Sequence, residues 1–349
     1  MPTRLFRRYS EGERLLDGAV KTFAASRKYL LATVFILLLT GVFMMIGASP
    51  PTHSKDSVLV TIPEGASRKE VADHLKGSEL IRSRTVFHLI VHIGFEGRQF
   101  LSGTYEMRKD MPLFMVLEKL IEGDVADTEV TIPEGFTIRQ IARRLDAAKI
   151  TSEEEFLKLA EDKPEIFGVN SGVPTLEGFL FPDTYRFLYH QPAENIIRVM
   201  MSRMDQQLKK LEPKARASGF SKAEILTIAS LIEREAKVQQ DRPLISSVIH
   251  NRLKLNMPLQ IDATVIYAHG QHKKRILYKD LEIESAYNTY KNRGLPPGPI
   301  ANPGFASIEA AVNPAQTDYL YYVAASDGSH LFARTFEEHK ANTRKVRRR

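Results

Sequence analysis

The sequence predicts an α+β protein of more than one domain, tied to a membrane by a single N-terminal transmembrane helix. Residues 29–48 form an uncharged apolar run, a short motif recurs seventy residues later in the chain, and helix and strand patterns alternate through the remainder. At 349 residues and 39.5 kDa the chain is too long for one compact core. Its 43% hydrophobic and 26% charged residues are typical of folded proteins rather than disordered ones.

The apolar run reads YLLATVFILLLTGVFMMIGA and contains no charged residue. In a helix a run of this length covers about 30 Å, the thickness of the hydrocarbon core of a bilayer. A cleaved signal peptide or a buried core helix is the alternative, but the apolar part of a signal peptide usually spans about 7–15 residues. Basic residues crowd the N-terminal side, whereas Lys55 stands alone just after the run. The positive-inside rule therefore predicts a cytoplasmic segment over residues 1–28, a linker over 49–56 and an extracytoplasmic remainder.

The composition argues against several kinds of site. The chain has no cysteine, which removes disulfide frameworks, thiolate zinc sites and cysteine nucleophiles. Its ten histidines lack a paired metal-ligand spacing, and we find no phosphate-binding glycine motif, so the sequence predicts neither a metal nor a cofactor. The net charge of +7 favours anionic partners. Because the basic residues are dispersed and lack interleaved aromatic residues, we expect no nucleic-acid binding.

The repeated motif is VTIPEG, at residues 60–65 and again at 130–135. Each copy continues into an amphipathic helical pattern and then a second helix, and residues 103–107 read as a strand that completes the first copy. Strand–helix–helix–strand is typical of small wall-binding modules of the LysM kind, so we expect a LysM-like module over residues 57–123. A duplicated structural unit without a ligand is the alternative.

The composition of the chain changes after residue 165. We assign residues 124–165 to the second copy of the repeat and residues 166–349 to the core of a larger domain. Segments rich in Gly, Pro and Asn predict loops over 176–185 and 287–304. The remaining patterns predict a helical stretch over 192–255, a strand over 318–324 and a partner strand over 330–334.

A helix that begins at a capping box on Ser221 carries the best candidates for chemistry. Two carboxylates, Glu233 and Glu235, flank its apolar face. Glu233 has Lys237 four residues later, which predicts a favourable surface ion pair. Glu235 lacks such a cation and is bordered by apolar residues, a setting that raises the pKa of a carboxyl group and suits a general acid. The alternative for either glutamate is a solvated helix face.

Several long segments of the chain match the motifs of one family. They are LEGFLFPDTY at 176–185, IASLIERE at 228–235, VIHNRL at 248–253, MPLQIDATVIY at 257–267, YNTY at 287–290, GLPPGPI at 294–300, NPG at 302–304 and AAVNP at 310–314. With these motifs the chain resembles the endolytic murein transglycosylases of the YceG-like family, inner-membrane enzymes that cut peptidoglycan glycan strands. The resemblance covers essentially the whole chain, including the anchor and the LysM-like module.

The resemblance implies a catalytic domain over residues 124–349, in the periplasm, with Glu235 as the catalytic residue and Glu233 as the fallback. Protonated Glu235 would donate to the β-1,4 bond between N-acetylmuramic acid (MurNAc) and N-acetylglucosamine (GlcNAc). It would then accept the proton of the muramyl C6 hydroxyl as that oxygen closes a 1,6-anhydro ring. The implied partners are glycan strands and cell-wall synthases of elongation or division. The implied sugar-groove residues are Gln260, Asp262, Thr264, Tyr287, Asn288, Asn313, Glu177 and Asp183.

Two other functions stay open on the sequence alone. A hydrolase of the lysozyme type would use water and a second carboxylate, for which Asp262 or Glu177 could serve, and would leave reducing ends. A membrane-tethered wall-binding scaffold would not be an enzyme. Its function would survive Glu235→Gln and would be lost on deletion of residues 57–122.

Overall fold

The computed structural model describes residues 27–169, 173–270 and 277–347. Helices and short antiparallel strand pairs alternate along the chain, so the predicted α+β class is confirmed. The chain divides into two compact units, Met1–Ala126 and Asp127–Arg349. The segment predicted to be cytoplasmic, residues 1–28, lies outside the described residues except for Arg27 and Lys28.

The described part of the first unit begins with helix α1, Arg27–Ala48, which is long and apolar enough to span a bilayer. Its large side chains are exposed along most of the helix. Near its end the helix instead packs on protein, where a Cβ on Gly47 would lie only 2.4 Å from Cγ2 of Val86. Just beyond the helix, Nε of Arg82 donates to the carbonyl oxygen of Pro50 at 2.8 Å. These contacts attach the end of α1 directly to the rest of the first unit.

The rest of the first unit is a strand–helix–helix–strand motif followed by one more helix. The elements are β1 (Ser57–Ile62), α2 (Arg68–Gly77), α3 (Arg84–Gly94), β2 (Gly103–Arg108) and α4 (Leu113–Glu122). Strand β1 pairs antiparallel with β2, so that Val60 lies opposite Tyr105. A capping box on Ser67 begins α2, and the Ser83 hydroxyl caps α3. The order of elements predicted for this copy is present, and its LysM-like character stays a prediction.

The second unit opens with another copy of the same motif. Its elements are β3 (Asp127–Thr131), α5 (Ile138–Ala147), α6 (Glu153–Asp162) and β4 (Thr184–Leu188). Strand β3 pairs antiparallel with β4, and Val130 lies opposite Tyr185. The loop predicted over residues 176–185 was therefore wrong at its end. The strand that closes this copy begins at Thr184, a long way along the chain from α6.

The remainder of the second unit is mainly helical and surrounds one buried helix. Its elements are α7 (Ala193–Lys210), α8 (Glu212–Ser218), α9 (Lys222–Glu235), α10 (Arg242–Lys254), α11 (Asp262–Ala268), α12 (Phe305–Val312), β5 (Tyr321–Ala324), β6 (His330–Ala333) and α13 (Phe336–Arg347). Helix α9 packs against α10, α11 and α12, and every residue from Ile225 to Ile232 is buried. The predicted helical stretch and hairpin are confirmed, although β5 begins at Tyr321 and α13 was not predicted.

Candidate active site

Both candidate glutamates lie in the last turn of α9. The predicted capping box begins this helix: the Ser221 hydroxyl accepts from the backbone N–H of Glu224, whose carboxylate accepts from the N–H of Ser221. The helix ends where Ala236 adopts an extended conformation with ψ of 117°. Because consecutive helical positions are rotated by about 100°, side chains two residues apart point to different sides of the helix. Glu233 and Glu235 therefore have separate surroundings.

Glu235 lines a cleft of about 410 Å³. Side chains from α9, α10 and α11, from the β5–β6 hairpin and from α13 form its walls. Glu235 itself is only partly exposed. This combination keeps the carboxyl group within reach of a ligand while protein surrounds most of it.

The surroundings of Glu235 favour a protonated carboxyl group near neutral pH. Burial raises the pKa of Glu235 to about 7. The Tyr322 hydroxyl, which donates to Oε2 at 3.1 Å, acts against this increase, and the nearby Asp262 carboxylate adds to it. A group that holds its proton near pH 7 and borders a cleft meets both requirements of a general acid.

Tyr322 and Asp262 are themselves held in place by further side-chain contacts. The ring of His330 meets the ring of Tyr322 edge-on, with centroids 5.3 Å apart. Nδ1 of His330 lies 2.8 Å from Oδ2 of Asp241, and both residues are buried. On the other side, the Tyr290 hydroxyl donates to Oδ1 of Asp262 at 2.5 Å. The two side chains that adjust the pKa of Glu235 are thus fixed by a second layer of contacts.

Glu233 is not the surface residue that the sequence predicted. Helix α9 ends before Lys237, and the Glu233 side chain is only 8% exposed. Its Oε2 accepts from Oγ of Ser307 at 2.7 Å and from the N–H of Gly304 at 3.2 Å, and its Oε1 lies 3.7 Å from a nitrogen of Arg242. Both oxygens have protein partners in a closed setting. The predicted ion pair with Lys237 was wrong, and the geometry favours Glu235 over Glu233 as the residue that meets a ligand.

Two of the eight predicted groove residues, Gln260 and Asp262, line the cleft with Glu235. Thr264 and Asn288 do not line it; both are buried and bonded to backbone. The Thr264 hydroxyl donates to the carbonyl of Ile261 at 2.7 Å, and the Asn288 amide donates to two carbonyl oxygens at 2.8 and 2.9 Å. In this structure they hold the segments around α11 in place.

Glu177 and Tyr287 lie together, outside the cleft lining. The Glu177 carboxylate accepts from the N–H of Ile138, at 3.1 and 3.2 Å, and from Nδ2 of Asn302 at 2.9 Å. Burial raises the pKa of Glu177 to about 8, against the lowering effect of the Ile138 hydrogen bond. The ring of Tyr287 contacts that of Tyr267, and burial together with the nearby Glu177 carboxylate raises the pKa of the Tyr267 hydroxyl. This cluster joins the second repeat copy to the helical core.

The last two predicted residues lie nearer the surface. Asp183 forms an ion pair with Nε of Arg203 at 2.7 Å, immediately before strand β4. Asn313 is exposed at the C-terminal end of α12. Neither side chain lines the cleft that contains Glu235.

A family model described as the YceG-like family matches residues 60–345. The chain belongs to the YceG-like family. It is 40% identical over 304 residues to a protein of Bacillus subtilis named endolytic murein transglycosylase, covering 82% of this chain and 84% of that relative. It is 32% identical over 322 residues to a protein of the same name from Streptococcus pneumoniae, covering 83% of this chain and 58% of that longer relative. A crystal structure of a YceG-like protein from Listeria monocytogenes is 37% identical, with a TM-score of 0.58 over 82% of this chain and 99% of that one.

Sequence reasoning missed several aromatic and basic residues of this YceG-like cleft. Tyr290, Tyr322 and Arg252 line the cleft with Glu235, although none of them is on its helix. Arg252 donates to the carbonyl oxygens of Leu320 at 2.7 Å and Leu259 at 2.8 Å, which ties the hairpin to the segment before α11. The alternating aromatic pattern at residues 318–324 was the available signal, but it predicts a strand without indicating what the strand faces.

Proposed function

We propose that this chain is an endolytic murein transglycosylase that cleaves the MurNAc–GlcNAc β-1,4 bond within glycan strands and leaves a 1,6-anhydro-MurNAc end. The observation that carries the proposal is a single glutamate, Glu235, that borders a cleft and has a pKa raised to about 7. The names of the relatives from Bacillus subtilis and Streptococcus pneumoniae support the substrate class. The match to the YceG-like family over residues 60–345 supports proposing the same activity for this chain.

In the proposed reaction one carboxyl group serves twice. Protonated Glu235 gives its proton to the glycosidic oxygen, and the bond from C1 of MurNAc to that oxygen breaks, releasing the GlcNAc hydroxyl. The C6 oxygen of the same MurNAc attacks C1 through an oxocarbenium-like transition state, and its proton passes to ionised Glu235. The donated hydrogen bond from Tyr322 stabilises the carboxylate in the interval when it is ionised. The acid is then ready for another cycle, and no water is consumed.

A lysozyme-type hydrolase is the second candidate, because Asp262 supplies a further carboxylate in the same cleft. Product ends separate the two reactions. We would incubate the full chain in detergent with purified peptidoglycan and read the released fragments by mass spectrometry. The transglycosylase gives anhydro ends, which are lighter by one water than the reducing ends that a hydrolase gives.

We further propose that α1 anchors the chain in the inner membrane, with residues 1–28 in the cytoplasm and the catalytic domain, residues 124–349, in the periplasm. The length and composition of α1 and the basic residues before it support this orientation. In the same scheme residues 57–123 form a LysM-like module that holds glycan, and cell-wall synthases of elongation or division are the expected partners.

The lack of cysteine allows a clean test of this orientation. A single cysteine introduced as Ser54→Cys should react with a membrane-impermeant thiol reagent added to spheroplasts. A single cysteine introduced as Ser10→Cys should react only after the membrane is permeabilised. The reverse pattern would contradict the proposed topology.

A further inference from the structure

One wall of the cleft is built from aromatic side chains that the proposed chemistry does not use. Tyr321 of β5 and Phe336 and His339 of α13 line the same cleft as Glu235. The Tyr321 ring stacks on His339, with centroids 5.4 Å apart and planes at 25°, and lies 5.9 Å from the ring of Phe336. The three rings form one continuous aromatic surface, which we call the C-terminal wall.

Folding does not account for the exposure of this wall. Phe336 is 50% exposed, although an aromatic side chain contributes most to stability when it is buried. Nδ1 of His339 is buried and has no hydrogen-bond partner within the part of the chain that the structure describes. Buried polar atoms are rarely left without a partner in a folded protein. A half-exposed aromatic ring inside a cleft is typical of a ligand site.

Two cations hold the rings of the wall. Arg252 lies over Tyr321 at 5.2 Å, and Nζ of Lys340 lies over Phe336 at 4.5 Å. Arg252 is buried and bonded to backbone carbonyls, so the position of Tyr321 is fixed before any ligand arrives. A preformed surface of this kind loses little conformational entropy on binding.

The wall is coupled to the acid through strand β5. Neighbouring residues of a strand point to opposite faces. Tyr322 therefore reaches Glu235 at 3.1 Å while Tyr321 faces α13. The wall and the acid line the same cleft.

We propose that Tyr321, Phe336 and His339 form a sugar-binding subsite that stacks on a pyranose ring of the glycan strand next to the ring cleaved at Glu235. A pyranose has an apolar face of C–H groups and a rim of hydroxyls. The Phe336 ring, half-exposed in the cleft, matches the apolar face. This assignment rests on the proposed function, because it takes a glycan strand as the ligand.

The test measures kcat and KM of the full chain in detergent on purified glycan strands. Phe336→Ala should raise KM about fivefold and change kcat less than twofold, since stacking is worth about 1 kcal/mol and serves binding. Phe336→Tyr should behave like the unchanged protein. Phe336→Leu, which keeps an apolar side chain on α13, should share the raised KM even if the alanine variant is less stable.

The matched control is Tyr278→Ala, which removes an aromatic ring that is 89% exposed and does not line the cleft. It should leave both constants unchanged. If Phe336→Leu keeps the KM of the unchanged protein, the stacking subsite is wrong.

Binding in a Glu235→Gln background separates this inference from the reaction itself. If glycan strands bind and Phe336→Leu weakens that binding, the subsite stands whether or not the unchanged protein cleaves them. If the unchanged protein cleaves glycan and Phe336→Leu binds as tightly as its parent, the subsite is overturned and the proposed function is not.

Discussion

The two copies of the repeat share their internal hydrogen bonds and differ in what their first turn contacts. Both strand pairs carry a threonine pair bonded at 2.9 Å, Thr61 with Thr104 and Thr131 with Thr184. In both copies the tyrosine of the closing strand donates a 2.6 Å hydrogen bond to the carbonyl oxygen four residues earlier. The repeated sequence thus specifies one small fold twice.

The Pro-Glu-Gly turn marks the difference between the copies. In both it needs glycine, since Gly65 has φ of 72° and Gly135 has φ of 76°. A Cβ on Gly65 would meet nothing within 4 Å, whereas Gly135 donates its N–H to the carbonyl of Asn302 at 2.8 Å. In the second copy the carboxyl group of Glu134 also covers Gly304, leaving no room there for a Cβ.

The start of the first helix differs in the same way. The Ile138 N–H, at the first position of α5, is bonded to the buried carboxylate of Glu177. Glu177 comes from the long segment between α6 and β4, which has no equivalent of that length between α3 and β2. Arg68, at the corresponding position of α2, is exposed. The same motif serves as a separate module in one copy and as part of the helical core in the other, and a few residues outside the motif make the difference.

The largest expected effect comes from removing the residue that bonds the second copy to the core. Asn302 is fully buried; its amide donates to Glu177 and to the carbonyl oxygen of Phe136, and its Oδ1 accepts from the N–H of Leu180 at 2.9 Å. Asn302→Ala should lower the free energy of unfolding of the second unit by about 3 kcal/mol, because several buried polar groups lose their partner.

Denaturant unfolding of the full chain would measure this loss. Asn292→Ala is the matched control, since Asn292 is an exposed asparagine whose amide also donates to backbone carbonyls. It should cost less than about 1 kcal/mol. Equal losses in the two variants would mean that the contacts of Asn302 are not what joins the second copy to the core.

A smaller loss of stability is expected when a side chain is introduced at Gly304, which the carboxyl group of Glu134 covers. In Gly304→Ala the new methyl group would lie 1.9 Å from Oε1 of Glu134, so that side chain must move, at a cost of about 1–2 kcal/mol. Adding Glu134→Ala should restore most of the loss. Gly94→Ala, at the end of α3 in the first unit, meets nothing within 4 Å and should be neutral or slightly stabilising. The melting temperatures of these three variants and of the unchanged protein would be compared. A larger loss of stability in Gly94→Ala than in Gly304→Ala would contradict the difference between the two copies.

The pH dependence of activity tests whether Glu235, in the second unit, is the general acid. The first step needs protonated Glu235, so kcat/KM should fall as pH rises through its pKa of about 7. Tyr322→Phe removes a hydrogen bond that lowers this pKa, so the falling limb should move to higher pH, by about 0.7 for a bond worth 1 kcal/mol. Asp262→Asn removes a negative charge that raises the pKa, and the limb should move to lower pH. If the falling limbs of the Tyr322→Phe and Asp262→Asn profiles shifted in the same direction, this account would be contradicted.

The sequence predicted the features that short stretches of chain determine. The helices of each repeat copy, the capping box on Ser221 and the apolar face of α9 follow from residues within one or two turns of each other. Strand β4 was missed because its pairing with β3 joins segments some fifty residues apart, while the local Pro182-Asp183 pattern favours a turn.

The site follows the same rule. The apolar neighbours of Glu235 are on its own helix, so a raised pKa could be predicted from the sequence. Tyr322 is 87 residues away in the chain and could not be placed. The surface pair predicted for Glu233 failed because α9 ends before Lys237, and the partners of Glu233 come from α10 and from the start of α12. Helix ends and distant partners are what a local pattern leaves undetermined.

The most direct test of the central claim compares Glu235→Gln with Glu233→Gln in the full chain, incubated with purified peptidoglycan. Mass spectrometry would count anhydro-ended fragments, and circular dichroism would check that both variants are folded. We predict that Glu235→Gln abolishes these fragments, because an amide is far too weak an acid to protonate the glycosidic oxygen, and that folded Glu233→Gln still releases them. Anhydro-ended fragments from Glu235→Gln at the rate of the unchanged protein would contradict the account and remove Glu235 from the reaction.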